Sequence, residues 1–162
     1  MSKHFVPLLL VAGLIFAQRV FAQKYDGPRP PKKDVIYLVH ADNLIPAESG
    51  EGKEEGKKGE SVYTFPGASS PSRTPLAEPI FILDSDNIKP ESVELYRMDI
   101  KSGRREVKVT GGSKRFGNKA LRLQVTKLDR GLYKLEASET LDPGEYALLP
   151  TGSSHVFSFE VY

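Results

Sequence analysis

Residues 120–162 read ALRLQVTKLDRGLYKLEASETLDPGEYALLPTGSSHVFSFEVY, and this stretch decides the fold. It holds four strand signals, at 120–127, 132–137, 145–149 and 156–162. Turn sequences separate the last three and break the first from the second: Asp129-Arg130-Gly131, Asp142-Pro143-Gly144 and Thr151-Gly152-Ser153. Leu121, Leu123 and Val125 alternate with Arg122, Gln124 and Thr126, the period of two that a strand shows when one of its faces is covered.

The same rhythm extends upstream. Val107 and Val109 share a face opposite Glu106 and Lys108 in the strand expected at 106–110. Further strands are expected at 61–65, 79–84 and 92–100. Residues 35–39, VIYLV, are almost continuously apolar, as in a strand buried on both faces. Lys101-Ser102-Gly103-Arg104 and Gly111-Gly112-Ser113 read as turns, and Pro66, Pro71, Pro75 and Pro79 mark an irregular crossing. No segment carries helical spacing with caps, and no internal repeat is present. The expectation is an all-β fold: a single antiparallel β-sandwich of seven to nine strands over 34–162. Residues 23–33, with Pro28, Pro30 and Pro31, read as an extended proline-rich arm. Residues 48–60, ESGEGKEEGKKGE, contain no apolar side chain and read as a flexible charged loop.

The string Leu141-Asp142-Pro143-Gly144-Glu145-Tyr146 resembles the tyrosine corner of immunoglobulin-like and fibronectin type III sandwiches. The same L-x-P-G-x-Y pattern occurs in carboxypeptidase-regulatory-like domains, and the end of the chain is similar to that of exported bacterial proteins. The resemblance covers about 25 residues. It implies an immunoglobulin-like Greek key with Tyr146 opening the penultimate strand and its hydroxyl bonded back to the chain a few residues upstream. Pro143, Gly144 and Tyr146 would then be structural. The resemblance implies no activity, because such sandwiches host many functions. With no Trp and no Cys, an antibody-type core is not implied.

At the other end, Lys3 precedes an apolar run, 5–17, bounded by Arg19 and followed by Val20-Phe21-Ala22. Its 13 residues are shorter than the roughly 20 that a membrane span needs. This is the pattern of a secretory signal peptide covering 1–22, which would be removed. The expected destination is periplasmic or extracellular, with no transmembrane segment after cleavage. The 162-residue chain less these 22 leaves 140, enough for one domain. The absence of Cys excludes disulfides and a lipid anchor at the cut. The full chain has 23 basic and 21 acidic residues. Loss of Lys3 and Arg19 makes the count 21 of each, so overall charge gives no case for nucleic acid as a partner.

Several chemistries fail on their own requirements. His40 and Asp42 share a face of an extended strand, but no third metal ligand lies at local spacing. Ser153-Ser154-His155 and Gly67-Ala68-Ser69-Ser70 lack the G-x-S-x-G elbow and read as turn and loop sequence. Residues 112–119 lack the Gly-Lys-Ser/Thr end and the following helix of a phosphate loop. Asp84-Ser85-Asp86-Asn87 lacks the Gly and terminal Glu of a calcium loop and reads more simply as a turn. Residues 149–152, Leu-Pro-Thr-Gly, lack both the spacing and the apolar tail of a cell-wall sorting signal. In the last strand, Tyr162, Glu160, Ser158 and Val156 make a face unsuited to the lipid side of an outer-membrane barrel.

Charge distribution remains. Residues 101–134 hold eleven Lys and Arg against Glu106 and Asp129, whereas 135–162 hold five acids and no Lys or Arg. The candidate binding residues are Arg104, Arg105, Lys108, Lys114, Arg115, Arg122 and Arg130. Lys108, Arg122 and Lys134 are expected to project outward from their strands, and Arg104, Arg105, Lys114, Arg115 and Arg130 to sit at turns. The expected function is an exported, non-catalytic binding or structural module of the cell envelope. Its partner would be an anionic envelope component or another exported protein, with no cofactor and no metal. Two alternatives stay open: a carbohydrate-binding module built on some of the seven Tyr, and a small hydrolase whose carboxylates meet in a cleft. The basic residues have an ordinary explanation too, as cross-strand partners of Glu136, Glu139, Glu145 and Glu160 or as charges that block strand edges.

Overall fold

The computed structural model describes residues 25–51, 60–110 and 119–162. The expected signal peptide, the middle of the charged segment, and Lys114 and Arg115 lie outside the described residues. In chain order the strands are β1 (Ile36–His40), β2 (Asn43–Pro46), β3 (Glu48–Glu51), β4 (Glu60–Pro66), β5 (Arg73–Thr74), β6 (Ile80–Asp84), β7 (Val93–Arg97), β8 (Asp99–Lys101), β9 (Arg104–Thr110), β10 (Leu123–Asp129), β11 (Leu132–Ala137), β12 (Gly144–Pro150) and β13 (His155–Val161). The only helical turn among the described residues is a 3₁₀ turn at Pro90–Ser92.

The strands form three sheets. The first has the order β10-β11-β6-β1-β2, the second β3-β13-β12-β7, and the third β4-β9-β8. Neighbours pair antiparallel, except β5, which runs parallel to β13. The first two sheets enclose the main core. Ile36, Leu38, Phe81, Leu83 and Leu135 meet Leu95, Tyr146, Leu148, Phe157, Phe159 and Val161. Phe159 touches Phe81 edge-on at 4.8 Å and stacks on Tyr146 at 5.5 Å between centroids. Such pairs add about 0.5–1.5 kcal/mol to the burial of their area.

The third sheet was not anticipated from the sequence. It lies on the far side of the second sheet over a smaller core: Phe65 and Val107 against Tyr96, Ala147, Leu149 and Val156. The second sheet is therefore covered on both faces. This is why six successive residues of β12, Glu145 to Pro150, are all buried. The pairing β4–β9 joins two distant stretches, with Phe65 opposite Arg105 and Val62 opposite Lys108. Gly50 on β3 makes room for this layer, since a Cβ there would sit 2.6 Å from the Phe65 ring.

Three expectations need correction. The flexible loop expected at 48–60 is contradicted at both ends, because Glu48–Glu51 pairs with β13 through Phe157↔Ser49 and its neighbours and Glu60 pairs with Thr110. The strand expected at 92–100 is divided at Met98, so that β7 joins the second sheet and β8 the third. Arg104 and Arg105, read as turn residues, belong to β9, because the turn is closed by Ser102 and Gly103 with Lys101 opposite Arg104. The strand-like 35–39 segment does bury Ile36, Tyr37 and Leu38 in succession.

Candidate functional site

The tyrosine-corner residues make the bond that their sequence implies. Tyr146, at the start of β12, is buried, and its hydroxyl donates to the Asp142 carbonyl oxygen at 2.7 Å. Arg97 lies against this corner. Its Nη2 donates to the Pro143 carbonyl at 2.9 Å, and its guanidinium carbon sits 5.8 Å from the Tyr146 ring centroid. Gly144, at φ 157°, allows that approach, since a Cβ would come within 2.9 Å of Arg97 Nη2.

Arg105 is at the centre of a second polar arrangement, between the second and third sheets. It is fully buried, at 0% exposure, because it shares the inward face of β9 with Val107. All five of its N–H groups have acceptors. Nη1 donates to Glu48 Oε2 at 2.6 Å and to Ser158 Oγ at 2.7 Å. Nη2 donates to Glu48 Oε1 at 3.1 Å and to the Pro66 carbonyl at 2.6 Å, and Nε donates to the Gly67 carbonyl at 3.1 Å. The plane also lies 5.3 Å from the Phe65 centroid.

Glu145 stands 3.6 Å from Arg105 Nη1 and is itself buried. Burial pushes its carboxyl above the usual range, opposed by the Ser70 N–H and the Arg105 charge and reinforced by Glu160 and Glu48. The Ser70 N–H reaches both Glu145 oxygens, at 3.2 and 3.1 Å. Burial would also raise Glu160, but hydrogen bonds from Ser69 and Arg73 bring it below the usual range. The carboxylates that the sequence could not bring together thus do meet, but around a guanidinium inside the molecule. No buried side-chain polar atom among the described residues lacks a partner.

The candidate basic residues are divided by this architecture. Arg105 is withdrawn from the surface, a correction to its expected place at a turn. Arg104 and Lys108 alternate with it and project to solvent from the third sheet, on the same face as Glu106. Lys101, opposite Arg104, donates to Glu106 Oε1 at 2.7 Å. That bond, outweighing burial, and then the charges of Lys108 and Arg104, hold the Glu106 carboxyl below its usual range. Arg122 and Arg130 are exposed elsewhere, just before β10 and in the β10–β11 turn of the first sheet. Lys134 pairs with Glu136 at 2.8 Å, the ordinary role for such a charge.

The sequence-level chemistries find structural places. His40 and Asp42 sit at the β1–β2 hairpin, with His40 opposite Asn43. Ser153 Oγ accepts the His155 backbone N–H at 3.0 Å, a turn contact. In the segment 84–88 the backbone N–H groups of Asp86, Asn87 and Ile88 all point to one oxygen of Asp34. The loop is thus organised around a carboxylate supplied from outside it. Among the described residues no cluster of three His, Cys, Asp or Glu could hold a metal ion, and no helix is long and apolar enough to cross a membrane.

These features define an all-β protein of stacked antiparallel sheets, compatible with a β-sandwich. No protein-family model, curated protein or solved structure matches the chain.

Proposed function

We propose that this chain is an exported, non-catalytic β-sandwich module of immunoglobulin-like Greek-key type, and that its third sheet meets an anionic partner of the cell envelope. The strand orders support the fold reading. β1, β6, β11 and β10 stand in the order A-B-E-D of such sandwiches, and β13, β12 and β7 in the order G-F-C. The tyrosine corner falls where strand F should begin. On this reading the third sheet is an addition, built from the A–B and C–D connections.

One observation carries the functional part: Lys101, Arg104 and Lys108 surround Glu106 on the solvent face of that sheet. Among the described side chains three cations stand there against two acids, Glu106 and Asp99. Such a face attracts anions by a screened, salt-sensitive field. The charge-rich pattern of β9 continues in sequence into Lys114 and Arg115. Export rests on the 1–22 signal pattern.

The test is flotation of the purified protein with vesicles rich in phosphatidylglycerol, against vesicles of phosphatidylcholine. Retention on the anionic vesicles that falls with salt, and that is lost in Arg104→Ser/Lys108→Ser, is expected. Retention unchanged by both salt and substitution would overturn the reading. Arg105 is left intact because its replacement would test folding.

A further inference from the structure

At one end of the sandwich, the β6–β7 connection faces the β12–β13 turn across a groove of about 530 Å³. That volume falls among ligand sites of roughly 300–1,000 Å³. Both walls are braced. On one side the Asp34 carboxylate accepts the N–H groups of Asp86, Asn87 and Ile88 at 3.1, 2.9 and 3.1 Å through Oδ1, and Asn87 Nδ2 at 2.7 Å through Oδ2. On the other side the Ser153 N–H donates to the Pro150 carbonyl at 3.1 Å. Across the gap, the Ser92 carbonyl accepts both the N–H and the hydroxyl of Thr151, at 3.0 and 2.9 Å. Two loops cross-linked in this way form a site before any ligand arrives, which lowers the entropy cost of binding.

The chemistry left to the groove is specific. Asp34 is ionised, with both of its oxygens engaged by the loop it organises, and Asp86 is paired with Lys33 at 2.7 Å. Glu51 stands opposite His155 on β3 and is not part of the lining. The lining includes the exposed Lys89 and His155 and the half-buried Ser153, beside the half-buried side chain of Ile88. A ligand that satisfies all of these has an anionic group, hydroxyls and an apolar C–H face.

We propose that this groove binds an acidic sugar residue. Its carboxylate meets Lys89, its hydroxyls meet His155 and Ser153, and its C–H face lies on Ile88. The proposal goes beyond the third-sheet reading and rests on different residues, so each can fail without the other.

The test is titration of the isotope-labelled protein with oligogalacturonate and, in parallel, with neutral galactose oligomers, followed by backbone amide shifts. Saturable shifts at 87–92 and 151–155 with the acidic ligand are expected. Lys89→Ala should weaken binding about tenfold, the size of one charge-assisted hydrogen bond. Ser153→Ala should weaken it less, and Arg104→Ser/Lys108→Ser should leave it unchanged. Equal binding of neutral and acidic oligomers, absence of shifts at these loops, or full affinity in Lys89→Ala would overturn the proposal.

Discussion

Arg105 and Glu48 form a two-pronged ion pair, Nη1 to Oε2 at 2.6 Å and Nη2 to Oε1 at 3.1 Å, that joins the third sheet to the second. Glu48 opens β3 at the edge of one sheet, and Arg105 lies in β9 of the other. The Pro66 and Gly67 carbonyls add the end of β4 to the same guanidinium. Three separate parts of the chain are thereby held at one side chain.

Replacing Arg105 should be among the most damaging single changes in the molecule. Arg105→Ala leaves Glu48 and Glu145 without their shared cation, and breaking a buried pair in this way costs about 3–5 kcal/mol. Arg105→Lys keeps the charge but not the five-donor fork, so an intermediate loss is expected. Urea unfolding checks both, and midpoints equal to that of the wild type would remove the network from any account of stability.

Tyr146→Phe tests the corner with little disturbance of packing. The ring stays on Phe159, while the bond to the Asp142 carbonyl is lost. A destabilisation of about 1–1.5 kcal/mol is expected. A variant as stable as the wild type in chemical denaturation would show that the hydroxyl makes no net contribution.

Asp34 links acid stability to one loop. Burial opposes its ionisation, but hydrogen bonds from the Asn87 and Ile88 N–H groups, the Asn87 side chain and the Asp86 N–H bring its pKa down to about 2. A depressed folded value means stability present above the unfolded carboxylate pKa of about 3.9 and lost as pH falls from there toward about 2. Since Asp34 is partly exposed, about 1–2 kcal/mol is expected after solvent screening. Asp34→Asn should remove most of this acid dependence, read as unfolding midpoint between pH 5 and pH 2. A curve parallel to that of the wild type would contradict it.

Glu145 has the opposite sign. Its carboxyl is raised in the folded protein, so its contribution is greatest below the unfolded carboxylate pKa and declines as pH rises through the raised value. Glu145→Gln retains an acceptor for the Ser70 N–H but cannot ionise. The variant should therefore lose less stability than the wild type between pH 4 and neutrality. A steeper loss in the variant would show that the Arg105 charge, not burial, dominates at this position.

How much of this was legible in the chain is clearest on β9. The alternation of Val107 and Val109 with Glu106 and Lys108 was readable, and extending it back by two places Arg105 on the valine side. Lys101-Ser102-Gly103-Arg104 obscured that step, because a turn signal marks where a chain reverses more reliably than where the strand resumes. Likewise the count back from Tyr162 through Glu160 and Ser158 marked a polar face on the last strand. In the folded molecule Ser158 is buried and receives Arg105, while the partly exposed Glu160 receives Ser69 and Arg73.

By itself the sequence determined the strand type, most of the turns, the side-chain parity at 106–109 and 121–126, and the tyrosine corner. All of these depend on residues within a few positions of one another. Only the tertiary structure decided that a third sheet exists, that β12 and β13 are covered on both faces, and that neighbouring Arg104 and Arg105 have opposite fates. Period-two alternation states that a strand has two faces, but not what lies on either. Pairings such as Phe65 with Arg105, and bonds such as Arg105 with Glu48, close long loops, and they are fixed by burial and hydrogen-bond satisfaction over the whole fold.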